Sequence, residues 1–455
     1  MNTTSLDAEQ LADLVDSGER QRLRMLLNDQ YPADMAEFLV KLDQARRLAC
    51  FRLLDLDNAS AVLAELEPDH QRSLLRDLAD QGVVSIISNM SPDDAADLLS
   101  ELPKDKATAI ISQMTDGEVV EDLQELMSFK DDSAGGIMST DYLAVSASMT
   151  AEQALAHLRE TYKKEAEEIY DLFVVNENEK LVGCLSVKDL LTASADATVE
   201  GMMDTAVIKV SVDTDQEEAA EKIQKYDLLS LPVVDAEGRL RGIITADDAI
   251  DVFEEEATED IYQTSGIDVT ATETGDNLAA NVPGAYRARI PWLIVTLLIE
   301  SGSAMVITHF DEVIKQTVIA ASFMPLLTSL TGSVAMQSTC ITIRGTKRPS
   351  FKEGLRNVWH EMRVGALLGL SCGVLTYALS FLFKEQAHTL GLVVGVSLFL
   401  TMSLGVIVGP LIPLMFERVG IEPAHASGPL ITSLLDVSTM TIYLSIVHAF
   451  LLHIL

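Results

Sequence analysis

The sequence predicts a mixed, three-part fold: an N-terminal α-helical superhelix, a tandem α/β repeat and, after a connecting helix, a C-terminal domain of five membrane-spanning α-helices. Three observations predict it. Helix-start signals recur through roughly the first 130 residues, a block of about sixty residues then occurs twice, and apolar stretches of spanning length follow from Ile290 to the end. Charge divides along the same line. The 455-residue chain has a net charge of −36, yet its mean hydropathy is +0.21. Up to residue 284 there are 22 Lys and Arg against 60 Asp and Glu, and beyond it 11 against 9. The acid belongs to one half and the apolar runs to the other. Such an acidic half repels nucleic acid and anionic lipid, so its partners are cations or basic proteins.

The first domain (residues 1–132) carries Tyr31-Pro32-Ala33-Asp34, Leu66-Glu67-Pro68-Asp69, Ser91-Pro92-Asp93-Asp94 and Leu102-Pro103-Lys104-Asp105. Proline in the first turn beside Ser or Asp starts a helix, and apolar residues at i, i+3 and i+4 follow, as in Ala95, Leu98, Leu99 and Leu102. Short amphipathic helices in succession stack as a solenoid.

The second domain (133–258) reads strand–helix–strand–strand–helix, twice, at about 138–198 and 199–258. Val145, Glu152 and Ala154 align with Val210, Glu217 and Ala219. Val174-Val175 aligns with Val233-Val234, Leu181-x-Gly183 with Leu240-x-Gly242, and Ser186 and Asp189 with Thr245 and Asp248. Each Ser/Thr-x-x-Asp is a capping box on its plain reading, and the cap is favoured over a ligand contact. The last helix continues through Asp248, Asp251, Glu255 and Glu259, spaced three or four apart on one face, where like charges repel. Asp93 and Asp97 repeat the arrangement in the superhelix. One such run reads as a solvated strip; two, with no basic run to neutralise them, favour divalent cations held through carboxylates and water.

A connecting helix (259–284) leads into the membrane domain (285–455), with spans read at about 290–308, 317–343, 364–383, 390–416 and 426–455. Arg344, Lys347, Arg348, Lys352, Arg356 and Arg363 crowd one loop, which places that loop and the N-terminus in the cytosol and the C-terminus outside. The polar, acidic N-terminus does not read as a signal peptide. Glu300 and Asp436 fall inside spans with no Lys or Arg deep enough to pair with them. Each faces a proton, a permeating cation or, near a span end, water. Around Asp436 lie Ser427, Gly428, Pro429, Thr432, Ser433, Ser438 and Thr441, which suit both a close helix contact and a polar cavity. Cys50, Cys184, Cys340 and Cys372 form no C-x-x-C pair, which argues against disulfides and cysteine zinc sites. No nucleophile–base set, phosphate-cradling glycine loop or His/Cys metal set is present, so the chain does not read as an enzyme.

These segments resemble the MgtE family of Mg²⁺ channels over essentially the whole chain, the repeat resembling a pair of CBS domains. The resemblance is carried by residues 91–99 (Ser91-Pro92-Asp93-Asp94 onward), Asp132-Ser133-Ala134-Gly135-Gly136-Ile137-Met138, Glu256-Ala257-Thr258-Glu259-Asp260-Ile261, Arg289-Ile290-Pro291-Trp292-Leu293 and residues 422–430 (Glu422-Pro423-Ala424-His425 onward), with Asp436 following. It implies a homodimer in the inner (plasma) membrane and a plug helix between about Glu259 and Val282. It also implies a pore on the dimer axis in which the acid matching Asp436 binds hydrated Mg²⁺. Regulatory Mg²⁺ is implied at Asp93, Asp97, Asp248, Asp251, Glu255, Glu259 and Glu422, holding the pore closed when Mg²⁺ is plentiful. Adenine-nucleotide (ATP) binding at the CBS pair stays open. The chain departs from the family where Ser333 and Thr401 replace pore asparagines, Thr296 replaces a common asparagine and Glu300 is added; pore ion contacts are therefore expected from Asp436, Ser333, Thr401 and Glu300. Transport of Co²⁺ or Mn²⁺, coupling to Na⁺ or H⁺, and a non-transporting Mg²⁺ or nucleotide sensor remain the alternatives.

Overall fold

The structure, a computed structural model, describes residues 15, 19–161, 171–267, 282–345, 351–381, 386–419 and 428–454. It divides into two compact units, Met1–Glu255 and Glu256–Leu455.

In the first unit the superhelix comprises α1 (Arg20–Leu27), α2 (Pro32–Val40), α3 (Gln44–Phe51), α4 (Leu56–Ala64), α5 (Pro68–Asp77), α6 (Asp80–Ile87), α7 (Pro92–Ser100), α8 (Lys104–Ile111) and α9 (Gly117–Leu126). Helices this short are marginal alone, so packing holds them. Leu39, Leu63 and Ile87, fully buried and 24 residues apart each time, mark the stacking of successive helix pairs. Asp43, Asp55 and Asp116 cap α3, α4 and α9 by accepting from backbone N–H groups of the first turn. Arg47 is buried because its guanidinium donates to the carbonyls of Leu39, Val40 and Leu42, in and just beyond the last turn of α2.

The repeat forms two matching three-stranded sheets. In the first, β1 (Ala144–Ser146) pairs parallel with β2 (Asp171–Val175), and β2 antiparallel with β3 (Leu181–Ser186), with helices α10 (Ala151–Thr161), α11 (Val187–Thr192) and α12 (Val199–Met202). In the second, β4 (Val210–Ser211), β5 (Ser230–Val234) and β6 (Leu240–Thr245) repeat the order, with α13 (Gln216–Tyr226) and α14 (Ala246–Thr264). The register follows the sequence repeat: Val145 opposes Val174 as Val210 opposes Val233, and each antiparallel pair shifts register between its two valines. The copies also exchange edges. The segment leading into β4 pairs Asp204 with Cys184 of β3, and the segment leading into β1 pairs Ser139 with Ile243 of β6. Gly183 and Gly242 make room for this exchange. A Cβ on the first would lie 3.0 Å from the Asp204 carbonyl oxygen, and on the second 2.6 Å from that of Ser139.

In the second unit α15 (Val282–His309), α16 (Asp311–Gln316), α17 (Val318–Ala321), α18 (Met324–Gly345), α19 (Phe351–Ser380), α20 (Gln386–Val419) and α21 (Gly428–Ile454) contain five helices long and apolar enough to cross a membrane. The five apolar spans are Val282–His309, Val318–Ile343, Arg356–Ser380, Thr389–Phe416 and Gly428–Phe450. The second is broken after Ala321, and the buried Tyr443 hydroxyl donates to the Ala320 carbonyl at the break (2.8 Å). Spans 2, 3 and 4 are sealed by glycine: a Cβ on Gly409 would lie 2.5 Å from the Ala335 carbonyl oxygen, and on Gly373 2.6 Å from that of Gly395. Span 1 is packed far more sparsely. Of its described residues only Ala288 and Ser303 are buried, and its main neighbour is span 5.

The third span begins at Arg356, earlier than the expected Val364, and so takes in Glu361. The helix α14 runs unbroken through residue 258, where the sequence reading placed a domain boundary. Most of the expected plug helix (268–281), together with Glu422, Lys347, Arg348 and Ser427, lies outside the described residues.

Candidate cation sites

The first site forms in unit 1 where α7 meets the start of α14. Proline starts α7 at Pro92, so Asp93, Asp94 and Asp97 fall on its first two turns; the Thr245 cap starts α14, so Asp247, Asp248 and Asp251 fall on its own first turns. The capping box closes here: Thr245 N–H and Oγ1 both donate to Asp248 Oδ2 (3.1 and 2.5 Å). In the first copy Ser186 Oγ accepts from Lys188 N–H instead.

Burial, then the charges of Asp248 and Asp94, pushes the Asp93 carboxyl up to about 7. Its Oδ1 is buried without a hydrogen-bond partner. Asp97 keeps an exposed edge, yet the protein around its carboxyl, with Asp93, Asp94 and Glu255, pushes it up to about 7 as well. Asp248 and Asp251 are raised in the same direction, chiefly by burial and then by carboxylate neighbours. Glu65, at the end of α4, is raised by burial and by Asp251 and Asp94, and so belongs to the same seam. Among the described residues, none of the main groups acting on these carboxyls is a Lys or Arg. The structure thus brings together Asp93, Asp97, Asp248, Asp251 and Glu255. Glu259 lies further along α14, in the second unit, and accepts from Gln263 Nε2 (2.5 Å). Among the described residues no three His, Cys, Asp or Glu side chains converge closely enough to ligate one ion. A cation in this seam would be bridged through its water shell.

The second site is in unit 2, where α18 and α21 wall a groove of about 1000 Å³. One stripe of α18, with Pro325, Ser329, Ser333, Met336, Gln337 and Cys340, lines it, and α21 adds Thr432 and Asp436. Ser333 and Asp436 are therefore on one surface, as the sequence suggested. Thr401 is not on it. It is fully buried and its Oγ1 accepts from Thr331 Oγ1 (2.9 Å), because Thr331 points away from the groove toward span 4. Glu300 does not line the groove but reaches Asp436 from α15, near enough for the two carboxyls to share a hydrogen bond. At the foot of the groove, the end of α14 meets the start of α21: a Cβ on Gly428 would lie 3.3 Å from the Thr264 carbonyl oxygen, and on Gly266, which has φ 74°, 3.2 Å from the Pro429 ring.

Two carboxylates that belong to these regions were missed by sequence reasoning. Glu65 stands alone in the sequence, and only the stacking of helix pairs delivers it to the seam. Glu361 is 7% exposed and accepts from Ser338 Oγ (2.7 Å), tying span 3 to the back of α18. Its signal was an acid within reach of an apolar run, hidden by the basic residues around it.

Known proteins supply the comparison. Residues 324–446 match a divalent cation transporter family, 30–132 the intracellular N domain of MgtE proteins, and 134–196 and 199–255 the CBS domain. The magnesium transporter MgtE of Bacillus subtilis is 35% identical over 442 residues, covering 96% of each chain. The chain belongs to the MgtE family. The MgtE magnesium transporter of Thermus thermophilus is 34% identical over 464 residues, covering 98% of each chain. The crystal structure of the cytosolic domain of a Mg²⁺ channel MgtE, in complex with ATP, superposes with a TM-score of 0.52 at 35% identity. It covers 54% of this MgtE-family chain and is itself covered completely.

Proposed function

We propose that this chain is a Mg²⁺ transporter of the cell membrane, working as a homodimer whose pore is walled by the α18–α21 groove and closed by cytosolic Mg²⁺ in the acidic seam. The observation that carries the reading is the placement of Asp436 and the Ser333 hydroxyl on one open-sided groove inside the membrane-spanning unit. Mg²⁺ keeps its water shell reluctantly exchanged, so one carboxylate with hydroxyl and amide neighbours suits a hydrated ion better than a closed cage would. A second copy facing the open side would complete the pore and double the carboxylates.

The seam supplies regulation. Its carboxylates destabilise the contact between α7 and α14 when cations are scarce, and Mg²⁺ relieves that repulsion. An ion biases a gate only by binding one state better than the other, and the closed seam, with more carboxylates in reach, is the better binder. The meeting of Thr264 and Gly266 with Gly428 and Pro429 supports the end of α14 as the element that obstructs the groove's foot. The basic residues between spans 2 and 3 support a cytosolic N-terminus and an external C-terminus. ATP binding is proposed only for the Ser186–Asp189 end of the CBS pair, since Asp248 is taken up by its cap and the seam.

Transport of a second divalent ion is favoured by one observation, the carboxyl of Glu300 beside Asp436. Flux into liposomes tests both readings. Mg²⁺ flux lost in Asp436→Ala supports the pore; full flux in that variant refutes it, and a Mn²⁺ or Co²⁺ flux exceeding that of Mg²⁺ makes the second reading the right one.

A further inference from the structure

The two halves of the acidic seam are carried by different parts of the first unit, and one ion pair joins those parts directly. Arg241 lies on β6, four residues before the Thr245 cap that starts α14. Glu125 lies in the last turn of α9, whose Leu123 and Leu126 share a buried core with Ala95, Leu98 and Leu99 of α7. Arg241 Nε donates to Glu125 Oε1 (2.7 Å), and Arg241 Nη2 donates to the same oxygen. One partner thus sits on the strand that runs into the Asp248 side of the seam. The other sits on the helix that supports the Asp93 side.

The internal repeat sets Arg241 apart. Its counterpart in the first copy, between Leu181 and Gly183, is Val182, which packs on that copy's own core. A β-branched residue is what a half-buried strand position calls for, so the arginine answers to something outside its sheet. Its surroundings say what. Asp122, one turn before Glu125 on the same face of α9, has its carboxyl raised by burial and then by Asp141, Glu125 and Glu118. Without the guanidinium this contact would be a second meeting of like charges.

The chain leaving α9 is also stitched to the second copy through its backbone. Ala134 and Gly135 N–H donate to the Thr214 and Val212 carbonyls (2.6 and 2.9 Å), and Gln216 N–H donates to that of Asp132 (3.0 Å). The stitching fixes where α9 ends. The ion pair fixes the direction in which α9 points, and with it how far Asp93 and Asp97 stand from Asp248 and Asp251.

We propose that Arg241 and Glu125 are positioning residues of the seam: a metal-free tether that holds the superhelix at the angle at which the seam closes, and so sets the Mg²⁺ concentration that closes it. The tether rests on the reading of the seam as the Mg²⁺ sensor. An attraction made in the closed arrangement offsets part of the carboxylate repulsion, which leaves less for the ions to supply. Loss of the arginine matters more than loss of the glutamate, because it leaves Glu125 facing Asp122 and Asp141 uncompensated.

The test is Mg²⁺ flux through the full-length protein in liposomes, recorded against Mg²⁺ on the seam side, with flux in chelator as the reference. One charged hydrogen bond biases an equilibrium roughly tenfold; divided between about two ions, that raises the half-closing Mg²⁺ concentration about threefold in Arg241→Gln. Glu125→Gln raises it less. Glu125→Arg combined with Arg241→Glu brings it back toward wild type from the higher values of either reversal alone. Flux in chelator stays at the wild-type level in each, which separates a moved threshold from a misfolded protein. Arg241→Gln and Glu125→Gln closing at the wild-type Mg²⁺ concentration overturn the tether and leave the seam in place. A wild type that seam-side Mg²⁺ does not close removes the seam reading itself.

Discussion

The acidic seam and the Glu300–Asp436 pair solve the same problem in different solvents. In the seam at least six carboxyls crowd two helices, but water reaches its edge, and the shifts it imposes leave Asp93 and Asp97 near 7, within the range that cells inhabit. Such a site responds in degrees, as ions and protons are shared among many groups. The membrane pair has only two carboxyls, of which Asp436 lines the groove, so few groups share whatever charge neutralises it. A gate calls for the first kind of site, and a pore lining for the second.

Several variants break or sharpen this contrast. The largest effect is expected from Asp436→Ala, which removes the groove's carboxylate and takes Mg²⁺ flux in liposomes to background. Ser338→Ala comes next. It strips the donor from Oε2 of the buried Glu361 and costs about 1–3 kcal/mol, read as a lower melting temperature of the purified protein. A Glu361→Leu partner substitution that restores melting would show that the loss came from the stranded carboxylate.

Asp97→Asn removes one seam charge. In chelator the backbone amides of α7 and the first turns of α14 exchange hydrogen more slowly than in wild type, while the extra protection conferred by Mg²⁺ shrinks. Proton dependence follows from the same charges. Because the folded seam holds Asp93 and Asp97 above the ordinary carboxylate range, the protonated form is the one the closed seam favours. Its stability is therefore full near pH 4 and is lost as pH rises through about 7. The urea midpoint of the cytosolic transition, measured in chelator, falls over that window, and Mg²⁺ flattens the dependence. The smallest effect is expected from Tyr443→Phe, which loses the bond to the Ala320 carbonyl at the break in span 2 for about 1 kcal/mol.

Much of this architecture was legible because it is periodic. Val174-Val175 and Val233-Val234 repeat in sequence and return as paired register shifts; the apolar runs return as spans. Asp93, Asp97, Asp248, Asp251 and Glu255 were readable as two charged helix faces, although only the fold shows that the faces meet. What sequence could not supply was phase and distance. Thr401 and Ser333 are equally polar, but one turns to a helix seam and the other to the groove. Glu361 escaped because a helix extends further toward basic residues than its apolar run does. The exchange of edges between the repeats at Gly183 and Gly242 has no local signal, since one arm joins Cys184 to Asp204 and the other joins Ser139 to Ile243, about a hundred positions away.

The most direct test of the account places Mg²⁺ on the seam side of a reconstituted membrane and records flux through wild type and through a variant with Asp93, Asp97, Asp248 and Asp251 all changed to Asn. The account predicts that millimolar Mg²⁺ on that side shuts the wild type and leaves the variant conducting, with conduction in both still abolished by Asp436→Ala. A variant that shuts at the same Mg²⁺ concentration as wild type would contradict it, because the seam would then have no part in closing the pore.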